Sequence, residues 1–189
     1  MAYVTPGTVA AGDVATAAAW NVLVGNDISL RALANVQSVI LTTPVTIQAT
    51  TVAYTYYDFT GLSVSITPTS DTSKILVTCN VFAATPANTN TFYRLVRDST
   101  AIGVGTGSLG SRTAVTAENQ QQVADTNSVG SLSFSVYDSP ATTSATTYKI
   151  QVAHNGGTSA IYGNRTWADV DAGYSGRGAS SIIVQEIPA

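Results

Sequence analysis

The sequence predicts a mainly β protein, an antiparallel β-sandwich or jelly roll preceded by a short N-terminal arm and a helical segment. Three observations carry that expectation. Between Gly130 and Gly157, Leu132, Phe134 and Val136 alternate with Ser131, Ser133 and Ser135. After a connection containing Pro140, Tyr148, Ile150 and Val152 alternate with Lys149 and Gln151. A two-residue period of this kind marks strands with one buried face. The same period recurs from Val36 onward in about ten short runs separated by turn residues, without the alternating helices of a parallel sheet. Charged residues make up only 10% of the chain, against a usual ~25%. With 28 Thr, 19 Ser and 26 Ala, hydroxyls and small side chains replace charge on the surface. Such a surface suits a β-rich exterior or burial against neighbouring subunits.

Residues 1–35 stand apart from the rest. Met1–Gly12 reads as an extended arm. Val14, Ala17, Ala18, Trp20, Leu23 and Val24 follow helical spacing, with Asp13 or Thr16 as the cap. Gly25-Asn26 is a C-terminal stop signal, and Asp27 can cap a second short turn through Ile28, Leu30 and Leu33. A helix this short does not stand alone in water, so Trp20, Leu23, Val24, Ile28 and Leu30 are expected to pack on something else.

Residues 36–189 form the expected sandwich domain. Val45, Ile47 and Ala49 alternate with polar neighbours, as do Leu62, Val64 and Ile66 before Pro68. Ile75, Val77, Cys79, Val81 and Ala83 mark the buried face of a long strand from Lys74 to Ala83. Further strands are expected at Tyr54–Phe59, Phe92–Arg97, Ala101–Val104, Ser159–Tyr162 and Ser180–Ile187. Asn155-Gly156-Gly157 supplies residues that tolerate positive φ at the end of the strand before it. Ile182, Ile183, Val184 and Ile187 place apolar residues on both faces of the last strand, which predicts a subunit interface there. Thr106–Val129 and Gly163–Ala179 resist the cadence, and long segments of that kind are functional or hold further strands.

Composition excludes several functions. The net charge is −3 and there are just two lysines, Lys74 and Lys149, so the clustered cations of a nucleic-acid footprint are missing. No window reaches the ~18 apolar residues of a membrane helix. Residues 1–30 show neither a cationic start nor a continuous apolar run, so no secretory leader is expected. One cysteine, Cys79, rules out an internal disulfide, and its place on an apolar strand face predicts an inert buried thiol.

Candidate chemical motifs are weak. Gly105-Thr-Gly-Ser-Leu-Gly110 has dinucleotide-loop spacing but lacks the strand–helix context, so it reads as a turn. Asp169-Val-Asp171 would set two carboxylates on one face of a strand without a third ligand. His154, the lone histidine, is expected to be exposed or at an interface beside its Gly-rich turn. Asn164-Arg-Thr166 is a glycosylation sequon that acts only on a secretory route. Tyr162, Trp167 and Tyr174, interleaved with Arg165, have the composition of a glycan platform and equally that of a subunit interface. Tyr54, Tyr56 and Tyr57 read as strand packing. No catalytic group, metal site or cofactor is expected, and the chain is not expected to be an enzyme.

Three blocks, Phe59–Val77, Tyr137–Lys149 (Tyr-Asp-Ser-Pro-Ala-Thr-Thr-Ser-Ala-Thr-Thr-Tyr-Lys) and Ser181–Ile187, together resemble the jelly-roll heads of tailed-bacteriophage virion proteins. Those of marine phages and cyanophages are the nearest in character. Such heads are similar in architecture to the trimeric tumour-necrosis-factor and C1q-like folds. Ala11-Gly-Asp, Ala19-Trp-Asn and Asn26-Asp-Ile also look like the attachment segment of phage minor structural proteins. The resemblance implies a homotrimer in the virion, made in the host cytoplasm and held to other capsid or tail proteins by residues 1–35. Capsid decoration or a head-fibre knob is the leading role. The alternative is a tail-fibre module that reads host surface glycan.

Overall fold

A computed structural model describes residues 17–120, 126, 127 and 129–189, with helix side chains described at positions 18, 20–27 and 30. Two antiparallel sheets pack face to face, which bears out the expected sandwich. At the centre of the first lies β4 (Lys74–Ala84), bonded on one edge to β8 (Gly130–Asp138) and on the other to β11 (Ser180–Ile187). Beyond β11 lies β1 (Val36–Leu41), while the short β10 (Ile161–Gly163) and β2 (Val45–Gln48) extend the β11 side past Ala83. The second sheet runs β3 (Tyr57–Ile66), β9 (Thr146–His154), β5 (Asn90–Arg97), with β6 (Thr100–Ile102) and β7 (Ala117–Gln120) sharing the far edge of β5. The orders β8-β4-β11-β1 and β3-β9-β5-β6 describe a jelly roll, because successive long strands cross from one sheet to the other.

Alternation builds the core. The odd residues Ile75 to Ala83 of β4 are 0–1% exposed, and Ile182 and Val184 join them from β11. They face Tyr148, Ile150 and Val152 of β9, Tyr93 and Leu95 of β5, and Leu62, Val64 and Ile66 of β3. Each large apolar side chain so buried contributes roughly 1.5–3 kcal/mol. Cys79 sits among them as expected, and burial pushes its thiol up to about 12.

Several expectations are corrected. Tyr54–Phe59 and Leu62–Thr67 are not two strands: β3 runs through both, kinked where Gly61 takes φ +82 and the register shifts between Asp58 and Ser63. The alternation does not single out β1, whose apolar residues 39, 40 and 41 are consecutive, or β7, whose Ala-Glu-Asn-Gln has no large apolar residue. The helix α1 (Ala17–Ala34) is continuous, with no stop at Gly25-Asn26; Asn26 is buried and the helix runs on to Ala34. The arm, the caps at Asp13 and Thr16, and Val14 lie outside the described residues. Gly156 has no positive φ; its role is close approach, since a Cβ there would meet the Thr89 methyl at 2.7 Å.

Two buried carboxylates flank Ile75 at the end of the sandwich where the helix joins. On one side, Asp138 accepts from Arg97 Nη1 at 2.8 and 2.9 Å and from the Tyr148 hydroxyl at 2.7 Å. On the other, Glu186 accepts from Asn35 Nδ2 at 2.7 Å and from the Thr69 amide and hydroxyl at 2.8 and 2.7 Å. Burial raises the Glu186 pKa, but the nearby Ser73 hydroxyl, which makes no bond of normal geometry, and the Asn35 and Thr69 donors together bring it below the ordinary value. A buried charge needs this degree of compensation to persist.

His154, expected at the surface, is fully buried. The Gly156 amide donates to its Nδ1 at 3.0 Å, so its proton sits on Nε2 and points to Thr51 Oγ1. Thr51 in turn donates to the Ser159 carbonyl at 2.6 Å. Burial holds this imidazole below the usual histidine range. The unfolded chain takes up a proton near pH ~6.5, where the folded form does not, so stability is full above that value and falls as pH drops below it. The thermal midpoint should therefore be lower at pH 5.5 than at pH 7.5, with a flatter profile for His154→Gln; parallel profiles for the two proteins would refute the assignment.

Candidate functional site

Strand register sorts the outward side chains of the first sheet into three rows of four. They are Val36–Gln185–Leu76–Tyr137, Ser38–Ile183–Thr78–Ser135 and Ile40–Ser181–Asn80–Ser133. None of these twelve carries a charge; Lys74, opposite Ile187, brings one to the end of the face. Ile40 and Tyr137 are 67% and 65% exposed, and hydroxyl and amide groups between the apolar residues bond to one another, as Thr78 does with Ser135 at 3.2 Å and Ser133 with Asn80 at 3.1 Å. The outward face of the second sheet is different. It carries Asp58, Lys149, Arg94 and Glu118. Asp58 there accepts from Lys149 at 2.7 Å and Gln151 at 2.8 Å; burial raises its pKa, and these two partners more than offset that. A charge-free face can be covered at little desolvation cost, whereas a charged one resists it.

The expected interface residues divide accordingly. Ile182 and Val184 are 0% exposed in the core and have no surface left for a partner. Ile183 lies at the middle of the charge-free face, and Ile187 lies at its end opposite Lys74. An apolar run on an edge-facing strand suggested two open faces, but the second sheet covers one of them.

On α1, Trp20, Leu23, Val24 and Leu30 share one face and are 44–63% exposed. The Ile28 side chain lies outside the described residues. The exposed Asp27 lies on the same side, so the four are large apolar side chains left in water and not an unbroken apolar stripe.

Tyr162, Trp167 and Arg165 do come together. The two rings meet edge to face with centroids 6.2 Å apart, and the Arg165 guanidinium lies 4.0 Å over the Tyr162 ring. Arg165 also donates to the carbonyls of Thr166 and Trp167, and Trp167 Nε1 donates to Ala160 O. The Tyr162 face that a pyranose would need is already occupied, so these residues close a loop. Tyr174 stays 71% exposed and makes no ring contact with them. This leaves the Tyr162 ring little room for the glycan platform that its composition allows.

Asp169 and Asp171 lie in the loop after β10, not on a strand. Arg177 forks onto the Asp169 carboxylate at 3.1 and 2.9 Å beside an open cleft of about 460 Å³, and Arg165 approaches at 3.6 Å. The Arg177 bond, then Arg165, hold the Asp169 carboxyl below its ordinary range against a smaller burial effect. Asn164 of the sequon is fully buried, donating to Leu41 and Thr43 carbonyls and accepting from Ser180, so the fold withholds it from modification. Gly105–Gly110 forms an irregular turn without a following helix. Among the described residues no group of three or more His, Cys, Asp or Glu could hold a metal ion, and no helix is long and apolar enough to cross a membrane.

No protein-family model matches the chain, and no curated protein matches it.

The Asp169 fork should hold the loop rather than the fold. Asp169→Asn is expected to leave the unfolding midpoint unchanged while trypsin cuts several-fold faster at Arg165 and Arg177. Equal cleavage rates would show that the fork orders nothing.

Proposed function

We propose that this chain is a bacteriophage virion structural protein. In this reading it is a homotrimeric jelly roll on the particle surface, a capsid decoration or head-fibre knob, held by residues 1–35. The observation that carries it is the outer face of the first sheet, whose three central rows carry no charge and which suits a protein partner, while the opposite face suits solvent. The threefold count and the virion location rest on the sequence resemblance. The exposed side chains of Trp20, Leu23, Val24 and Leu30 support attachment, because a short helix with large apolar residues in water gains from being covered.

Light scattering should return three times the 19.5 kDa chain mass. Ile183→Lys puts an unpaired charge at the centre of the covered face, where burial costs several kcal/mol. It should release monomers with an unchanged circular-dichroism spectrum; a trimer that persists in this variant would remove the face from the interface. Deletion of residues 1–34, which keeps the Asn35 bonds to Glu186, should spare the trimer and abolish incorporation into particles, and truncated protein found on particles would end the anchoring assignment.

A further inference from the structure

The charged outward face of the second sheet carries an aromatic site that composition alone gave no reason to separate from strand packing. Tyr54 does not lie in β3. It sits in the turn before it, at φ +62, a left-handed conformation rare for an aromatic residue. The turn is pinned from both sides. The Thr51 amide donates to Ser159 O and the Tyr54 amide to His154 O, each at 2.8 Å, and the Val52 amide donates to the Tyr57 hydroxyl at 3.0 Å. This framework holds the Tyr54 ring nearly parallel to Phe92, with centroids 6.0 Å apart and 21° between planes. One ring face thus rests on a buried aromatic, and the residue remains 57% exposed. Strain of this kind persists where the surroundings enforce it, and it collects at binding sites.

Polar groups with planar geometry lie beside Phe92, on which the ring rests. Glu118 of β7 is the cross-strand neighbour of Phe92, and Asn90, two residues before Phe92, bonds its carboxylate. Two residues after Phe92, the Arg94 guanidinium stacks 3.7 Å over Tyr56. The charges of Glu118 and Arg94 balance, so the site selects neither anions nor cations. An aromatic face beside a carboxylate and an amide is the chemistry that holds a sugar: ring C–H groups stack on the face, and hydroxyls bond the planar acceptors and donors.

We propose that Tyr54 is the stacking platform of a site for a neutral hexopyranose unit of a surface glycan, with Glu118 and Asn90 bonding its hydroxyls. The site lies on the face away from the proposed assembly surface and does not rest on the trimer. Saturation-transfer NMR on the full chain with the methyl glycosides of glucose, galactose and mannose tests it. Transfer to the ring C–H protons of at least one glycoside is expected, retained in Tyr54→Phe and weakened about fivefold or more in Tyr54→Gly and Glu118→Gln. Glycine accepts the φ of this turn without strain, and an unchanged amide spectrum outside the turn confirms that the fold is kept. Glu118→Gln leaves the ring in place and reads the site independently if the Tyr54 variants unfold. Absence of transfer from all three glycosides, transfer indifferent to Tyr54→Gly and Glu118→Gln, or binding only of an acidic sugar such as methyl glucuronide would overturn the proposal.

Discussion

Strand β4 is hydrogen-bonded along both edges, and that double pairing fixes the parity of the molecule. With β8 and β11 in register on either side, its odd residues must point into the sandwich and its even residues outward. A one-residue slip would exchange Ile75, Val77, Cys79, Val81 and Ala83 for Leu76, Thr78, Asn80 and Phe82, and bury hydroxyl and amide groups in an apolar core. The neighbours inherit the same parity. β11 therefore commits Ile182 and Val184 to the core and leaves Ile183 outside, and β8 turns its serines outward as a row. The three uncharged outward rows are the reverse side of the core pattern.

The same register sets the two carboxylates beside Ile75, where the sandwich meets the helix. Glu186 does more than fill a core position. Its bonds reach Asn35, the residue between helix and β1, and Thr69, in the turn between β3 and β4. The Glu186 amide also donates to Asn35 O at 3.0 Å. The last strand thereby grips the point where the N-terminal segment enters the domain. Asn35, the residue that follows the helix, is thus bonded to the last strand through both its side chain and its carbonyl. Breaking one partner of such a buried charge is costly because the carboxylate remains behind unpaired.

Much of this was legible where apolar and polar residues alternate cleanly. β4, β8, β9 and β11 could be read within a residue or two, and with them the sandwich. β1 and β7 could not, because consecutive apolar residues in one and their scarcity in the other erase the period. Gly61 looked like a break between strands because a bulge depends on the partner strand, which a local pattern does not contain. The assignments of side chains to a site failed for the same reason. His154 is buried by Thr51, 103 residues away. The Tyr162 face is taken by Arg165, a contact set by the turn after β10 and not by composition. Tyr54 looked like a strand residue until its φ and its stacking on Phe92 were defined.

The distribution of charge over the two sheets follows from a chain that has little of it. With 10% charged residues, every ion pair that is placed somewhere is withheld from somewhere else. Asp58 with Lys149, and Arg94 beside Glu118, lie on the second sheet, while Arg97 and Asp138 close one end of the barrel-like core and Arg165, Asp169 and Arg177 close the loop after β10. Nothing charged is left for the three rows on the first sheet. A face of Ser, Thr, Asn and Gln set among Val, Ile, Leu and Tyr could hydrogen-bond across an interface without the desolvation penalty of ions. The two faces of one sandwich thus have divergent physical chemistry, one suited to being covered and the other to remaining in water, where an exposed aromatic such as Tyr54 can meet a ligand.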